Sequence, residues 1–192
     1  MVHRDRIVTV RVPMPGGQNR LRQMILYVAQ ECADARFFGA IKLNKIIWKA
    51  DFDSFAGRHV PVTGREYLKQ QFGPALREMR PVQRDMERDG LIAFSHKDFG
   101  DNIIEQRTIA LVEPDMRIFT HEDLKFVRAS IRHYWHMTGT ESSDESHGIA
   151  WQTRAIGVPM PYESSLLSDR RPPDKQWDRL KAIVAARQLV SE

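Results

Sequence analysis

Two stretches of helical period constrain this chain more than anything else in it. Leu21, Met24, Ile25, Val28 and Cys32 recur three and four residues apart, and Leu43, Ile46, Ile47, Ala50 and Ser54 repeat the spacing. Residues 18 to 34 and 41 to 56 therefore read as amphipathic helices, each with one face that must be buried. Two such faces so close in sequence are expected to pack together. Gly57 stands where a left-handed helix stop is expected. Thr120 with Asp123 has the form of a capping box ahead of Leu124, Val127, Ile131 and Trp135, which predicts a further helix ending near Thr138-Gly139. Trp177, Leu180, Ile183 and Val184 predict a last one.

Between these helices the pattern is mixed. Residues 7 to 12 alternate loosely and read as a short edge strand closed by the turn Pro13-Met14-Pro15-Gly16-Gly17. Residues 58 to 72 form a connector with one extended patch. Pro74 suits the first position of a third helix, running to about residue 89, which Pro81 should kink or split. Asp89-Gly90 ends it, and Leu91 to Phe94 and Ile103 to Leu111 read as two strands joined through Gly100-Asp101-Asn102. Residues 139 to 147 are polar, a short helix or a loop. Four prolines between residues 157 and 173 mark an irregular crossing. The expected fold is mainly α with a small β-hairpin (α+β), a single compact helical domain whose hairpin follows the third helix as in a winged helix. Residues 1 to 17 are a basic arm, 18 to 155 the domain, and 156 to 192 a crossing and helix packed on that domain.

Length and charge exclude several classes. A chain of 192 residues is large enough to bury a core of its own. No apolar run approaches the roughly 20 residues of a spanning helix, and Arg4, Asp5 and Arg6 interrupt the N-terminus where a signal peptide would be apolar, so no membrane contact and a cytoplasmic location are expected. The single cysteine, Cys32, lies on an apolar helix face and reads as a buried thiol. Arg4, Arg6, Arg11, Arg20 and Arg22 face only Asp5, so the whole net charge of +4 falls within residues 1 to 22. A basic end of this kind can touch DNA or an acidic partner.

Few residues are arranged for chemistry. His133 and His136 share a helix, with His121 and His147 elsewhere, but a zinc site needs three or four ligands in defined places. Ser143, Asp144, Ser146 and His147 hold the letters of a catalytic triad as sequence neighbours, which rarely converge as nucleophile, base and orienter. Pro15-Gly16-Gly17 lacks the Lys-Ser/Thr of a phosphate loop. No enzyme, metal or cofactor is expected. The rival to protein binding is a winged-helix-like DNA-binding regulator, in which Arg77, Arg80, Arg84 and Arg88 line a recognition helix before the hairpin. Glu78, Asp85, Glu87 and Asp89 cancel that charge, and ion pairs along one helix are the plainer account.

One constellation has a counterpart elsewhere. The helix Lys42-Leu43-Asn44-Lys45-Ile46-Ile47-Trp48 is followed by Thr63-Gly64, Tyr67 and Phe72-Gly73-Pro74, then by His147 and Trp151. This order resembles the Panacea domain of SocA-like antitoxins over about residues 20 to 155, with Trp48 where a tyrosine is commoner and Ala75 where a β-branched residue is usual. The resemblance implies an antitoxin that binds a cognate protein toxin directly, or delivers it to a protease, or works with a chaperone. On matching positions it implies a contact surface made of Lys42, Lys45, Trp48, Tyr67, Phe72, Gly73, Pro74, His147 and Trp151. Gly73 and Pro74 are also architectural, since one permits an unusual backbone angle and the other sets a torsion.

Overall fold

The computed structural model describes residues 8–100 and 104–167. The first two amphipathic segments are α1 (Gly17–Glu31) and α2 (Ala40–Arg58). Leu21, Met24, Ile25 and Val28 of α1 meet Leu43, Ile46, Ile47 and Ala50 of α2 in one core, all at most 1% exposed. α2 runs through Gly57 to Arg58, and His59 takes the left-handed conformation in its place (φ 58°). Arg58 accounts for the extra residue, because its guanidinium pairs with Asp123 across the helix interface.

The largest departure from expectation lies at Gly73-Pro74. These residues open a strand, not a helix: β1 (Tyr67–Gln70) and β2 (Gly73–Leu76) form a hairpin around Gln71-Phe72. Locally, a proline at a helix start and a proline on an edge strand look alike, since each places the missing N–H where no ladder partner is needed. α3 begins only at Met79 and ends at Arg88. Pro81 therefore sits in its first turn, where N–H groups have no intrahelical acceptor, and it neither kinks nor splits the helix.

β3 (Ile92–Asp98) and β4 (Ile104–Ala110) follow α3 at once as the expected hairpin, with β3 longer than the run of residues 91 to 94 that predicted it and β4 within the expected span of 103 to 111. α4 (His121–Tyr134) opens with the predicted capping box, Asp123 N–H to Thr120 Oγ1 at 3.1 Å and Thr120 N–H to Asp123 Oδ2 at 2.8 Å. It stops before Thr138, because Thr138 caps α5 (Gly139–Glu145) through Glu141. α6 (Ile149–Gln152) follows. The chain then returns as β5 (Pro159–Met160), which pairs antiparallel with β1 and completes a small sheet ordered β2-β1-β5. The result is an α+β, mainly helical fold.

Residues 8 to 12 form no strand; they make a strap. Thr9 N–H donates to the Glu163 carboxylate at 3.1 Å, Thr9 O accepts from Tyr162 N–H at 2.8 Å, and Val12 N–H donates to Gly64 O at 2.9 Å. The expected helix around Trp177, residues 168–173 of the crossing, and residues 1–7 of the basic arm lie outside the described residues.

Candidate partner-binding face

The helix carrying Lys42, Lys45 and Trp48 turns its two lysines inward. Each is 1% exposed, contrary to a place on the flank of α2. Lys42 Nζ donates to Trp135 O at 3.3 Å, at the C-terminal end of α4, and Lys45 Nζ donates to Pro74 O at 2.8 Å. Burial lowers the pKa of Lys42, and it pushes that of Lys45 down to about 7, against the opposing pull of the Glu145 charge. Lys49 stays at the surface and pairs with Asp53.

The role of Lys45 follows from strand geometry. Arg77 N–H bonds Glu66 O at 3.0 Å, so alternation along the ladder turns the polar groups of Pro74 and Leu76 away from β1. Pro74 has no N–H to leave unpaired, its carbonyl takes Lys45, and Leu76 N–H finds Asn44 Oδ1 at 3.2 Å. Asn44 and Lys45 thus cover the edge of a sheet that would otherwise be open for pairing. Gly73 completes the junction. Its φ is +89°, and a Cβ there would overlap Lys45 Nζ and Ser146 Oγ. Here the close approach, as well as the backbone angle, requires glycine.

Trp151 fastens α6 to the hairpin tip. Its Nε1–H donates to Gln70 O at 3.0 Å, His147 stacks on its ring at 3.8 Å and 14°, and Lys69 Nζ lies 3.9 Å from the ring centroid. Lys69 Nζ also donates to Arg154 O at 2.7 Å. Burial, followed by the Lys45 charge, lowers the His147 pKa below its ordinary 6.5, so the ring is neutral at neutral pH. Ser143 Oγ lies 3.4 Å from His147 Nε2, the spacing of neighbours one helical turn apart.

Tyr67 also lies inside. It is fully buried and donates to Asp51 Oδ2 at 2.6 Å, beside Thr63, whose N–H and hydroxyl both donate to the same carboxylate, and Tyr162 at 3.3 Å. Burial raises the Asp51 pKa, and these donors pull it back. Sequence reasoning passed over Asp51, although an acid one turn from Ile47 and Phe55 on an apolar face is a signal of a buried network. Tyr162 gave no such signal, because its partners lie some hundred residues away.

Two grooves flank the Lys45–Gly73–Ser146 junction. The first, about 290 Å³, is lined by Trp48, Phe52, Ile149, Trp151, Met160 and Leu167, among others. Among the described residues Trp48 Nε1 and Ser165 Oγ are buried there without hydrogen-bond partners, and Ile149 and Leu167 are 41% and 53% exposed. The second, about 540 Å³, spreads over the open face of β1–β2 between α2 and α3, with Phe72 at its mouth, 57% exposed. Of the nine residues expected on a contact surface, then, Phe72 is exposed and Trp48, His147 and Trp151 are partly so. The other five hold the face in shape from behind.

Two of the four arginines expected to grip DNA are held in ion pairs. Arg77 precedes α3 and pairs with Glu66; Arg88 pairs with Asp85 and Asp89. Of the arginines within residues 1 to 22, Arg20 and Arg22 stand on α1, where Arg20 is buried against Asp123 at 2.7 Å and Arg22 pairs with Asp89, while Arg4 and Arg6 of the basic arm lie outside the described residues. His133 is bound to Glu145 at 2.7 Å, and among the described residues no group of three metal-binding side chains gathers. No helix among them is long and apolar enough to cross a membrane. The Cys32 thiol is pushed up to about 12, by burial above all.

The family model described as Antitoxin SocA-like, Panacea domain matches residues 43–152. The chain belongs to the Panacea domain family of SocA-like antitoxins. The matched span runs from Leu43 on α2 through Gln152 at the end of α6, shorter at its start than the resemblance seen in the sequence. It contains the edge-covering residues Asn44 and Lys45, the hairpin, and the His147–Trp151 stack. The helix α1, β5 and Tyr162 lie outside the match, yet they complete the Panacea domain's core here. No curated protein and no solved structure gave a match.

Proposed function

We propose that this Panacea domain is the antitoxin of a toxin–antitoxin pair and neutralises its cognate toxin by stoichiometric binding, without chemistry of its own. The observation that carries the reading is the first groove: a trough in which the aromatic rings of Trp48, Phe52 and Trp151 lie among Lys49, Asp53 and Glu145, with Leu167 53% exposed at its border, next to a hairpin tip that exposes Phe72. Such patches on a folded chain mark contact sites, and aromatic anchors dominate the energy of protein interfaces. The buried Trp48 N–H adds to this, since an unpaired donor costs about 1–3 kcal/mol until an acceptor arrives.

The test is co-expression with the toxin of the same operon in a growth assay, paired with co-purification. The wild-type chain should rescue growth and hold the toxin in a stable complex. Leu167→Asp and Phe72→Asp, both at exposed positions, should weaken the complex by at least about tenfold, or 1.4 kcal/mol, while leaving the thermal melt in place. Loss of rescue only in a host lacking its cytoplasmic proteases would assign the chain to delivery of the toxin for degradation. Rescue unaffected by both substitutions would remove this face from the reading.

A further inference from the structure

The second groove has a chemistry of its own. Its ionisable lining groups are Lys45, Arg77 and Arg80, and no carboxylate lines it. Glu66 pairs with Arg77 without lining the groove, and Arg80, exposed on the first turn of α3, makes no ion pair among the described residues. Gln70, Gln71 and Gln106 add exposed amides that donate and accept, over a floor that includes Leu68 and Ala75.

We infer that this groove receives an acidic segment of a protein partner, with an apolar residue seated against Phe72 and carboxylates facing Arg77 and Arg80. The inference deepens the antitoxin reading and rests on it for the partner's being the toxin; it adds the chemistry of the toxin segment that docks. Three features select this occupant. The charge is of one sign, which favours carboxylates and repels a basic segment. The outer edge of β2 is already occupied by Asn44 and Lys45, and Pro74 has no N–H, so the segment does not add as a strand and must be read through its side chains. A nucleic acid fits less well. α3 carries Asp85 and Glu87 and is followed by Asp89, which would face the phosphates of any duplex broad enough to reach Arg80.

The test needs no toxin. Short fluorescein-labelled peptides of alternating Glu and Leu, their Lys and Leu counterparts, and a labelled DNA duplex are titrated with the full chain by fluorescence anisotropy. The acidic peptide should bind, more weakly as salt rises, and the basic peptide should not. Arg77→Glu with Arg80→Glu should weaken the acidic peptide by at least about tenfold, and Phe72→Ser should weaken it without altering the salt dependence. Equal binding of both peptides, no binding of the acidic one, or indifference to charge reversal would overturn the inference. Arg80-dependent binding of the duplex alone would overturn it in favour of nucleic acid. Failure here with growth rescue intact leaves the antitoxin reading standing, whereas peptide binding without rescue would sink that reading and keep the groove.

Discussion

The molecule contains two β-hairpins that solve the same problem in different ways. β3–β4 pairs seven residues with seven, carries a loop glycine, Gly100, whose added Cβ would meet nothing within 4 Å among the described residues, and leaves Phe99, Ile104 and Ile109 at least 40% exposed. β1–β2 pairs four with four, too few to stand alone in water. It persists because β5 extends it on one side, Asn44 and Lys45 cover the other, and Ser146 and Trp151 press on its tip. β3–β4 is anchored from one strand, where Arg107 bonds Ala33 O and Ala35 O and Thr108 takes Gln83, on top of a full-length ladder, whereas β1–β2 relies on its surroundings along both edges and at its tip. The one held by its surroundings is where Lys45, Tyr67, Phe72, Gly73, Pro74 and Trp151 gather, beside the face proposed for the partner.

The sharpest way to break the comparison is to add one methyl group to each hairpin. Gly73 and Gly100 share a left-handed backbone, φ +89° and +85°, but only Gly73 has neighbours within reach of a Cβ. Gly73→Ala should cost about 3 kcal/mol or more in urea denaturation, since it adds a collision with Lys45 and Ser146 to the torsional cost. Gly100→Ala should cost about 1 kcal/mol, the torsional part alone. Equal losses would mean that the Lys45–Ser146 junction can open without penalty.

The next effect is one of pH. Lys45 titrates near 7 when folded and at 10.5 when free, so between those values the unfolded chain binds more protons than the folded one and stability rises with pH. Cys32, raised from 9.0 to about 12, works in the opposite direction, making stability fall as pH climbs through that higher range. From pH 7 to 9 the slope is therefore clear of Cys32 and is carried by Lys45, with Lys42, lowered by burial, adding in the same sense. Denaturation midpoints of the wild type should rise across it, and Lys45→Met should flatten the slope; a slope unchanged in that variant would show that the ammonium is not desolvated against β2.

Smaller effects sharpen the contrast. Asn44→Ala strips the partner from Leu76 N–H and should cost about 1 kcal/mol. Exposed positions on the other hairpin should barely respond: Ile104→Thr, at 63% exposure, should stay within about 0.5 kcal/mol by the same denaturation. A larger loss there would mean that β3–β4 depends on contacts at Ile104 as well as on those at Arg107 and Thr108.

What could be read from the sequence follows the range of the forces involved. The apolar periods of α1 and α2, the capping box at Thr120 and Asp123, and the β3–β4 alternation are set by residues within a few positions of one another, and each is found in the structure. Family membership was legible for the same reason, as a pattern of residue types in order. Tertiary structure decided that Gly73-Pro74 belongs to a strand, since its ladder partner is β1 and it is held there by Asn44 and Lys45 of α2 and by Ser146. It also decided that Lys42, Lys45 and Tyr67 face inward. A lysine on an amphipathic helix is ordinarily a solvated flank, and only the unpaired carbonyls of Trp135 and Pro74, brought near by the fold, make burial of its ammonium tolerable. Sequence order brought nine residues to notice, and long-range hydrogen bonding determined that Lys42, Lys45, Tyr67, Gly73 and Pro74 are buried while Phe72, Trp48, His147 and Trp151 keep some exposure.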